Sequence, residues 1–147
     1  VRLAVDEGLV DDGFLVLYCD SYLSVDVKAV WAASEKGGHP LMCVFRNDGR
    51  WDASNAIFEN GLVTRTEKGR TDAAEIGMAY IDYGLSVLTR DAVEAHVPSG
   101  EPYDLADVFG RLAEAGELRG FEATERFYEI GSPDGLADLE AQLVPGT

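Results

Sequence analysis

The hydrophobic residues of this chain fall into short continuous runs that alternate with amphipathic stretches. The runs FLVLYC (14–19) and LMCVFR (41–46) show no polar alternation, which is typical of strands covered on both faces. Between them, residues 26–36 carry apolar side chains three to four positions apart, the spacing of an amphipathic helix. This succession predicts a βαβ unit, a parallel pair of strands joined by a right-handed crossover.

The period of the pattern changes in the second part of the chain. Residues 55–66 form two extended runs around Asn60-Gly61, a dipeptide typical of a tight hairpin turn. The later predicted elements are a strand (80–88), a short helix capped by Thr89, an amphipathic helix (104–117) capped by Asp104, one or two short strands (118–123 and 126–130), and a C-terminal helix from Ser132-Pro133. The pattern therefore predicts a single α/β domain over residues 1–147, with a mixed sheet.

Composition changes this picture mainly through charge. The net charge is −15 and the 12 basic residues are scattered, which argues against a nucleic-acid-binding groove. No run approaches the roughly 18 apolar residues that a membrane span needs, and no signal peptide is recognisable, so we expect no membrane association. Cys19 and Cys43 both lie in predicted buried strands, as core residues of a cytoplasmic protein. An anionic ligand would therefore have to be met by a few basic groups, helix N-termini or a divalent cation.

Two carboxylates stand at the ends of predicted strands. Asp20 follows the run 14–19, and Glu129 precedes a glycine turn and the last helix. In open α/β sheets, ligands bind beyond the carboxyl ends of the strands, so Asp20 either lies beside a ligand, caps the helix that begins near Asp26 or makes a turn. Glu129 is either a second ligand-binding carboxylate or a solvated charge. Together the two carboxylates are suited to hold one Mg²⁺ ion.

Two further segments carry candidate chemistry. Lys68, within RTEKGR (65–70), is either a phosphate contact or a solvated loop lysine. In DYG (82–84), a glycine inside a strand marks either close approach of the backbone to a ligand or a simple bulge. The sequence contains no zinc signature, no nucleophile elbow and no GxGxxG motif.

The order of these motifs resembles that of the sugar-phosphate nucleotidyltransferases. The resemblance rests on FLVLYCDSYL, WDASNAIFENG, TEKG, IDYGLSVL and the stretch from DLADVF to GSPDG, and it covers essentially the whole chain. It is strongest for the branch that contains D-glycero-α-D-manno-heptose 1-phosphate guanylyltransferase. The resemblance implies an incomplete nucleotide-diphospho-sugar transferase fold, with a Rossmann-like, mixed but mostly parallel sheet flanked by helices and an inserted β-hairpin. It also implies transfer of a nucleotidyl group from a nucleoside triphosphate to a sugar 1-phosphate over Mg²⁺, with release of pyrophosphate.

The resemblance also implies roles for individual residues. Asp20 and Glu129 match the carboxylates that hold the metal, and with Lys68 they form the implied catalytic set. Glu67 matches the acidic member of the Glu-Lys pair on the sugar-phosphate side. The segment that lines the sugar corresponds to Asp82, Tyr83 and Gly84.

The sequence departs from the family pattern in three places. Cys19 replaces the usual glycine, and Gly69 replaces a common proline. The Gly-rich strand and loop that cradles the triphosphate is not in the sequence. We therefore expect residues 1–147 to be the C-terminal two-thirds of such a domain, inactive alone and homo-oligomeric through the exposed edge of 14–19. The alternative is a non-catalytic fragment that acts through self-association or by binding a partner.

Overall fold

The computed structural model describes residues 1–144 as an α/β fold built around one six-stranded sheet. In chain order the elements are α1 (Arg2–Asp6), β1 (Gly13–Leu17), β2 (Ser21–Tyr22), α2 (Val27–Ala33), β3 (Leu41–Arg46), β4 (Ala56–Glu59), β5 (Leu62–Thr66), β6 (Tyr80–Thr89), α3 (Arg90–His96), α4 (Leu105–Glu114), β7 (Arg119–Ala123), β8 (Tyr128–Glu129) and α5 (Pro133–Leu143). None of the helices in residues 1–144 combines the length and the hydrophobicity that a membrane-spanning helix requires.

The strand order of the main sheet is β1-β6-β3-β7-β5-β4. Strand β4 also meets β6, at the pair Ala56–Tyr80, so β6, β3, β7, β5 and β4 close into a barrel-like ring. Strand β1 adds to β6 outside this ring, and β2 pairs with β8 in a separate two-stranded ribbon. The architecture is therefore a mixed sheet with helices, as the sequence predicts, but it is closed and not an open Rossmann-like sheet.

The expectation of a mostly parallel sheet is wrong. Strands β1 and β3 both pair antiparallel with β6, which lies between them, so the predicted parallel pair of 14–19 and 41–46 does not form. Among the residues described, β3 and β7 are the parallel pair. Strand β6 is ten residues long and residues 83–88 are buried without interruption, so both of its faces are covered, as expected for a central strand. A local strand–helix–strand pattern cannot reveal that a later strand inserts between the first two.

Strand β1 lies at the edge of the sheet, and it is only half covered. Phe14 and Val16 pack against the core, whereas Leu15 and Leu17 are 40% and 58% exposed. The prediction that this run is covered on both faces is therefore wrong. Cys19 lies beyond the end of β1 and is exposed, so it is not the predicted core residue.

Two apolar layers cover the faces of the sheet. The first packs α1, α3 and α4 against β3, β5 and β6, with Val93, Val108, Phe109 and Leu112 among its buried residues. The second packs α2 onto the opposite side through Val30, and Cys43 is buried there as predicted.

The local predictions for turns and helix caps are confirmed. The hairpin turns at Asn60-Gly61, where both residues have positive φ, as a type I′ turn requires. Helices α3, α4 and α5 begin at the predicted caps, since Thr89, Asp104 and Ser132 each accept a backbone N–H. Helix α2 is capped by Asp26, so Asp20 is not its cap.

Candidate functional site

The ribbon of β2 and β8 brings Asp20 and Glu129 together. Ser21 pairs with Glu129, and the N–H of Ile130 donates to the carbonyl oxygen of Asp20 at 2.8 Å. A Cβ atom on Gly131 would lie 3.5 Å from Oε1 of Glu129 and 3.7 Å from Oδ2 of Asp20. The two carboxylates, 109 positions apart in sequence, therefore border the same small space.

Close packing of α5 fixes the backbone of Glu129. Ser132 caps the helix by accepting the N–H of Gly135 at 3.1 Å. A Cβ atom on Gly135 would collide with the carbonyl oxygen of Glu129, so glycine lets the first turn of α5 lie directly against β8. The Ser132 cap and Gly135 thus place the first turn of α5 against the end of this strand.

A cavity of about 190 Å³ lies beside the two carboxylates. Its lining residues are Tyr18, Asp20, Ser21, Asp52, Asn55, Lys68, Ile81, Asp82, Tyr83, Gly84, Phe127 and Glu129. Six of the seven residues that the sequence singles out are in this lining, and Glu67 is not. Two larger cavities, of about 440 and 660 Å³, are also present, but most of the candidate residues line the cavity of about 190 Å³.

Asp82 lies in the cavity wall with both carboxylate oxygens engaged. Its Oδ2 accepts the hydroxyl of Tyr18 at 2.9 Å, and its Oδ1 accepts the N–H of Gly84 at 2.9 Å. Its backbone N–H donates to Oδ1 of Asn55 at 2.9 Å. Burial raises the pKa of the Asp82 carboxyl, while these two hydrogen bonds and the charge of Lys68 act to lower it.

Gly84 forms a bulge in β6. The pairing register with β3 shifts between Met42 and Val44, opposite this glycine, whose φ is +87°. A Cβ atom there would lie 3.2 Å from Cδ2 of Tyr18 and 3.3 Å from Oγ of Ser21. Gly84 is therefore a bulge and also part of the cavity wall, where a larger residue would strain the backbone and crowd its neighbours.

Lys68 lies between the candidate cavity and the cavity of about 660 Å³, and it lines both. Its Nζ is 3.4 Å from Oδ1 of Asp104, the residue that caps α4. Both side chains are more than half exposed, so this ion pair is weak and the ammonium can be drawn to a ligand at little cost. Lys68 is the single basic residue in the described lining of the smaller cavity.

The side chain of Glu67 is held in ion pairs, and that of Tyr83 is packed in the core. Glu67 accepts from Arg70 at 2.6 Å and from Arg65 at 3.3 Å, and Arg70 is the main cause that lowers the pKa of Glu67. It lines the larger cavity with Lys68. Tyr83 is buried, and its ring lies 5.6 Å from that of Phe127, so it supports the wall from the core.

The sequence reasoning missed several lining residues. Asn55 and Asp52 stand in the segment WDASNAIFENG, and Tyr18 comes two residues before Asp20, but none has a local pattern that marks it. The contact of Tyr18 with Asp82 joins positions 64 residues apart. Only the fold reveals it.

The donor set at Asp20 and Glu129 fits a small, hard divalent cation. Mg²⁺ is usually bound by one or two carboxylates and keeps its remaining positions for water and substrate phosphate oxygens. Among residues 1–144, no group of three or more His, Cys, Asp or Glu side chains forms a complete metal-binding cluster. The protein part of such a site would thus be these two carboxylates.

No protein-family profile matches the sequence, and no curated protein matches it. Solved structures do match the fold. A Bacillus anthracis protein, a proposed glucose-1-phosphate thymidylyltransferase in complex with a sucrose, superposes with a TM-score of 0.77 at 15% identity, over 99% of this chain and 60% of its own. HddC from Yersinia pseudotuberculosis complexed with GMP-PN gives 0.68 at 20% identity, over 96% and 59%. The inositol-1-phosphate CTP transferase from T. maritima gives 0.69 at 16% identity, over 99% and 61%.

These matches show that the chain has the fold of sugar-phosphate nucleotidyltransferases. The resemblance that the motif order predicted is thereby confirmed at the level of the fold. The chain spans about 60% of the length of these solved structures.

Proposed function

We propose that this chain is the sugar-1-phosphate- and metal-binding part of a nucleotidyltransferase. In the proposed reaction, a phosphate oxygen of the sugar 1-phosphate attacks the α-phosphorus of a nucleoside triphosphate. The bond from the α-phosphorus to its bridging oxygen breaks, and pyrophosphate leaves. The observation that carries the proposal is that Asp20, Glu129, Lys68 and Asp82 line one cavity in a fold that such enzymes share.

Charge explains why the carboxylate pair matters. The described lining contains four acidic side chains, Asp20, Asp52, Asp82 and Glu129, beside the ammonium of Lys68. A phosphate group would be repelled from such a cavity unless a cation accompanied it. Asp20 and Glu129 would hold Mg²⁺, which when bound neutralises charge on phosphate oxygens.

The remaining residues bind and orient the sugar 1-phosphate. Lys68 donates to its phosphate as a point charge. Asp82 accepts from hydroxyl groups of the sugar, and Asn55 lies beside it in the same wall. Holding the substrate in this way lowers the entropic cost of the attack.

Calorimetric titration with glucose 1-phosphate and mannose 1-phosphate tests this proposal. We expect binding in the presence of Mg²⁺ and none with a chelator. Lys68→Ala should weaken that binding about tenfold, because a hydrogen bond to a charged group is lost. In a complete homologue that also carries the triphosphate-binding loop, the same substitution should leave triphosphate binding nearly unchanged. Lys28→Ala, on the exposed surface of α2, is the matched control and should leave sugar 1-phosphate binding unchanged. Mg²⁺-independent binding, or an equal effect of both lysine variants, would contradict the proposed site.

We also propose that the chain forms a homodimer, because the edge of β1 favours self-association. Within the described residues β1 pairs with β6 alone, so its other edge presents unpaired backbone groups. The exposed Leu15 and Leu17 extend along the same strand. This second candidate function, a structural role through association, is compatible with the first.

A further inference from the structure

Tyr18 is joined to the bulge of β6 at several points. Its backbone N–H donates to the carbonyl oxygen of Gly84 at 3.0 Å, and its hydroxyl donates to Oδ2 of Asp82 at 2.9 Å. Its ring also packs against Gly84, since a Cβ atom on Gly84 would lie 3.2 Å from Cδ2 of Tyr18. The half-buried ring thus occupies space that only a glycine at position 84 leaves open.

These contacts hold the Asp82 carboxylate from two sides. Gly84 N–H reaches Oδ1 and the Tyr18 hydroxyl reaches Oδ2, so the side chain has one orientation. A carboxylate offers about four lone-pair sites, and these two bonds use two of them. The others are left for a ligand in the cavity that Asp82 lines.

We propose that Tyr18 is a positioning residue that fixes the Asp82 carboxylate for the hydroxyl groups of the bound sugar 1-phosphate. This inference rests on the proposed function. An unsupported Asp82 side chain would have to be ordered when the sugar binds, and that cost would reduce affinity. With Tyr18 present, the Asp82 side chain is already ordered before the sugar binds.

The hydrogen bond between Tyr18 and Asp82 can be detected through the pKa of the Asp82 carboxyl. Burial raises the pKa of Asp82, and Gly84 N–H, the Tyr18 hydroxyl and the Lys68 ammonium lower it. Burial, and then the charge of Asp82, raise the pKa of the Cys43 thiol, and Asp20, Asp52 and Glu129 share the cavity with Asp82. Loss of the Tyr18 hydroxyl removes a hydrogen bond that favours the ionised carboxylate, so the pKa of Asp82 should rise further.

The experiment compares the whole chain with Tyr18→Phe, Asp82→Asn, the double variant and Tyr22→Phe. Tyr22 lies on β2 and is 42% exposed, and its variant loses the same hydroxyl group. Calorimetry measures the affinities for Mg²⁺ alone and for glucose 1-phosphate with Mg²⁺. Carbon-13 NMR follows the titration of the Asp82 carboxyl, and thermal unfolding checks that each variant is folded.

We expect Tyr18→Phe to weaken glucose 1-phosphate binding about tenfold, as loss of a bond to a charged group does. Mg²⁺ affinity should change less than about twofold, the Asp82 pKa should rise, and the same substitution should have little effect in the Asp82→Asn background. Tyr22→Phe should change none of these quantities. An unchanged Asp82 pKa, or an equal loss of affinity in the Asp82→Asn background, overturns the inference.

The two proposals fail in different ways. If the wild-type chain does not bind glucose 1-phosphate, or if Asp82→Asn binds it normally, the proposed function is wrong. The carboxyl titration then still decides whether Tyr18 controls Asp82. If Asp82→Asn weakens glucose 1-phosphate binding and Tyr18→Phe does not, the positioning role alone is wrong.

Discussion

Gly84 shows at the scale of single residues how backbone geometry forms the cavity wall. Its φ of +87° is a conformation that residues with a side chain adopt only with strain, and its missing side chain makes room for Tyr18 and Ser21. The Asp82 carboxylate, two positions earlier, depends on the N–H that this conformation presents. One glycine therefore links the bulge to the proposed sugar-binding group.

Gly84→Ala should destabilise the fold more than Gly49→Ala does. Gly49 also has a positive φ of +70°, but a Cβ atom there meets nothing within 4 Å. Each substitution carries a backbone penalty of roughly 1–2 kcal/mol, and Gly84→Ala adds contacts at 3.2 and 3.3 Å. Chemical denaturation measures both free energies of unfolding. Equal losses would show that Tyr18 and Ser21 give way without cost.

The sequence predicted part of the candidate site at this scale and missed the rest. Asp20 and Glu129 were identifiable because each ends a hydrophobic run, a position tied to ligand binding in α/β folds. Tyr18 was not, because its role depends on contact with a side chain 64 positions away. Glu67 illustrates the reverse, since its motif is present but its carboxylate is paired with Arg65 and Arg70.

At the scale of elements, the helices and the hairpin follow from local chemistry. Caps and turns need only neighbouring residues, which is why Thr89, Ser132 and Asn60-Gly61 were predictable. Strand order is not a local property. Whether 14–19 pairs with 41–46 depends on β6, which follows later in the chain and inserts between them.

Helix α4 offers a test of a cap that also contacts the site. Asp104 Oδ1 accepts the N–H of Ala106 at 2.9 Å, and it is the partner of Lys68. Asp104→Ala should lower the free energy of unfolding by about 1 kcal/mol, whereas Asp104→Asn, which caps equally well, should lower it much less. Urea denaturation at neutral pH separates the two. Equal losses would show that the charge matters more than the cap.

The stabilisation that the Asp104 carboxylate gives to the fold depends on pH in a defined direction. The N–H of Ala106, and then Lys68, lower the pKa of Asp104 below its usual value of 3.8. A lowered folded-state pKa means that this stabilisation is complete above the unfolded value and is lost as the pH falls through the folded one. Asp104→Asn should therefore reduce the acid sensitivity of unfolding below about pH 4.

At the scale of the whole molecule, the edge strand β1 and the acidic charge act in opposite directions. A net charge of −15 keeps copies of the chain apart. The outer edge of β1, which no strand within residues 1–144 pairs with, and the exposed Leu15 and Leu17 favour their association. Short-range apolar contact is less sensitive to salt than charge repulsion is. Added salt should therefore strengthen association.

Sedimentation at micromolar concentration should show a dimer. If the two copies are joined through β1, we expect their interface to bury at least about 1,000 Å². Leu15→Lys should shift the equilibrium toward the monomer, because it places a charge in that interface. Leu143→Lys, at an exposed position of α5, is the control and should have no effect. A wild-type monomer, or equal effects of the two variants, would refute association through this edge.

The central claim is that Asp20 and Glu129 together hold a divalent cation with which the acidic cavity binds a sugar 1-phosphate. Electron paramagnetic resonance of Mn²⁺, used in place of Mg²⁺, measures it most directly, in titrations with and without glucose 1-phosphate. We predict binding of a single ion, tightened by the sugar phosphate, and weakened at least about tenfold by Asp20→Asn or Glu129→Gln. Asp11→Asn, which removes the same charge from an exposed loop, should bind like the wild type. Unchanged Mn²⁺ affinity in Asp20→Asn and Glu129→Gln would contradict the account.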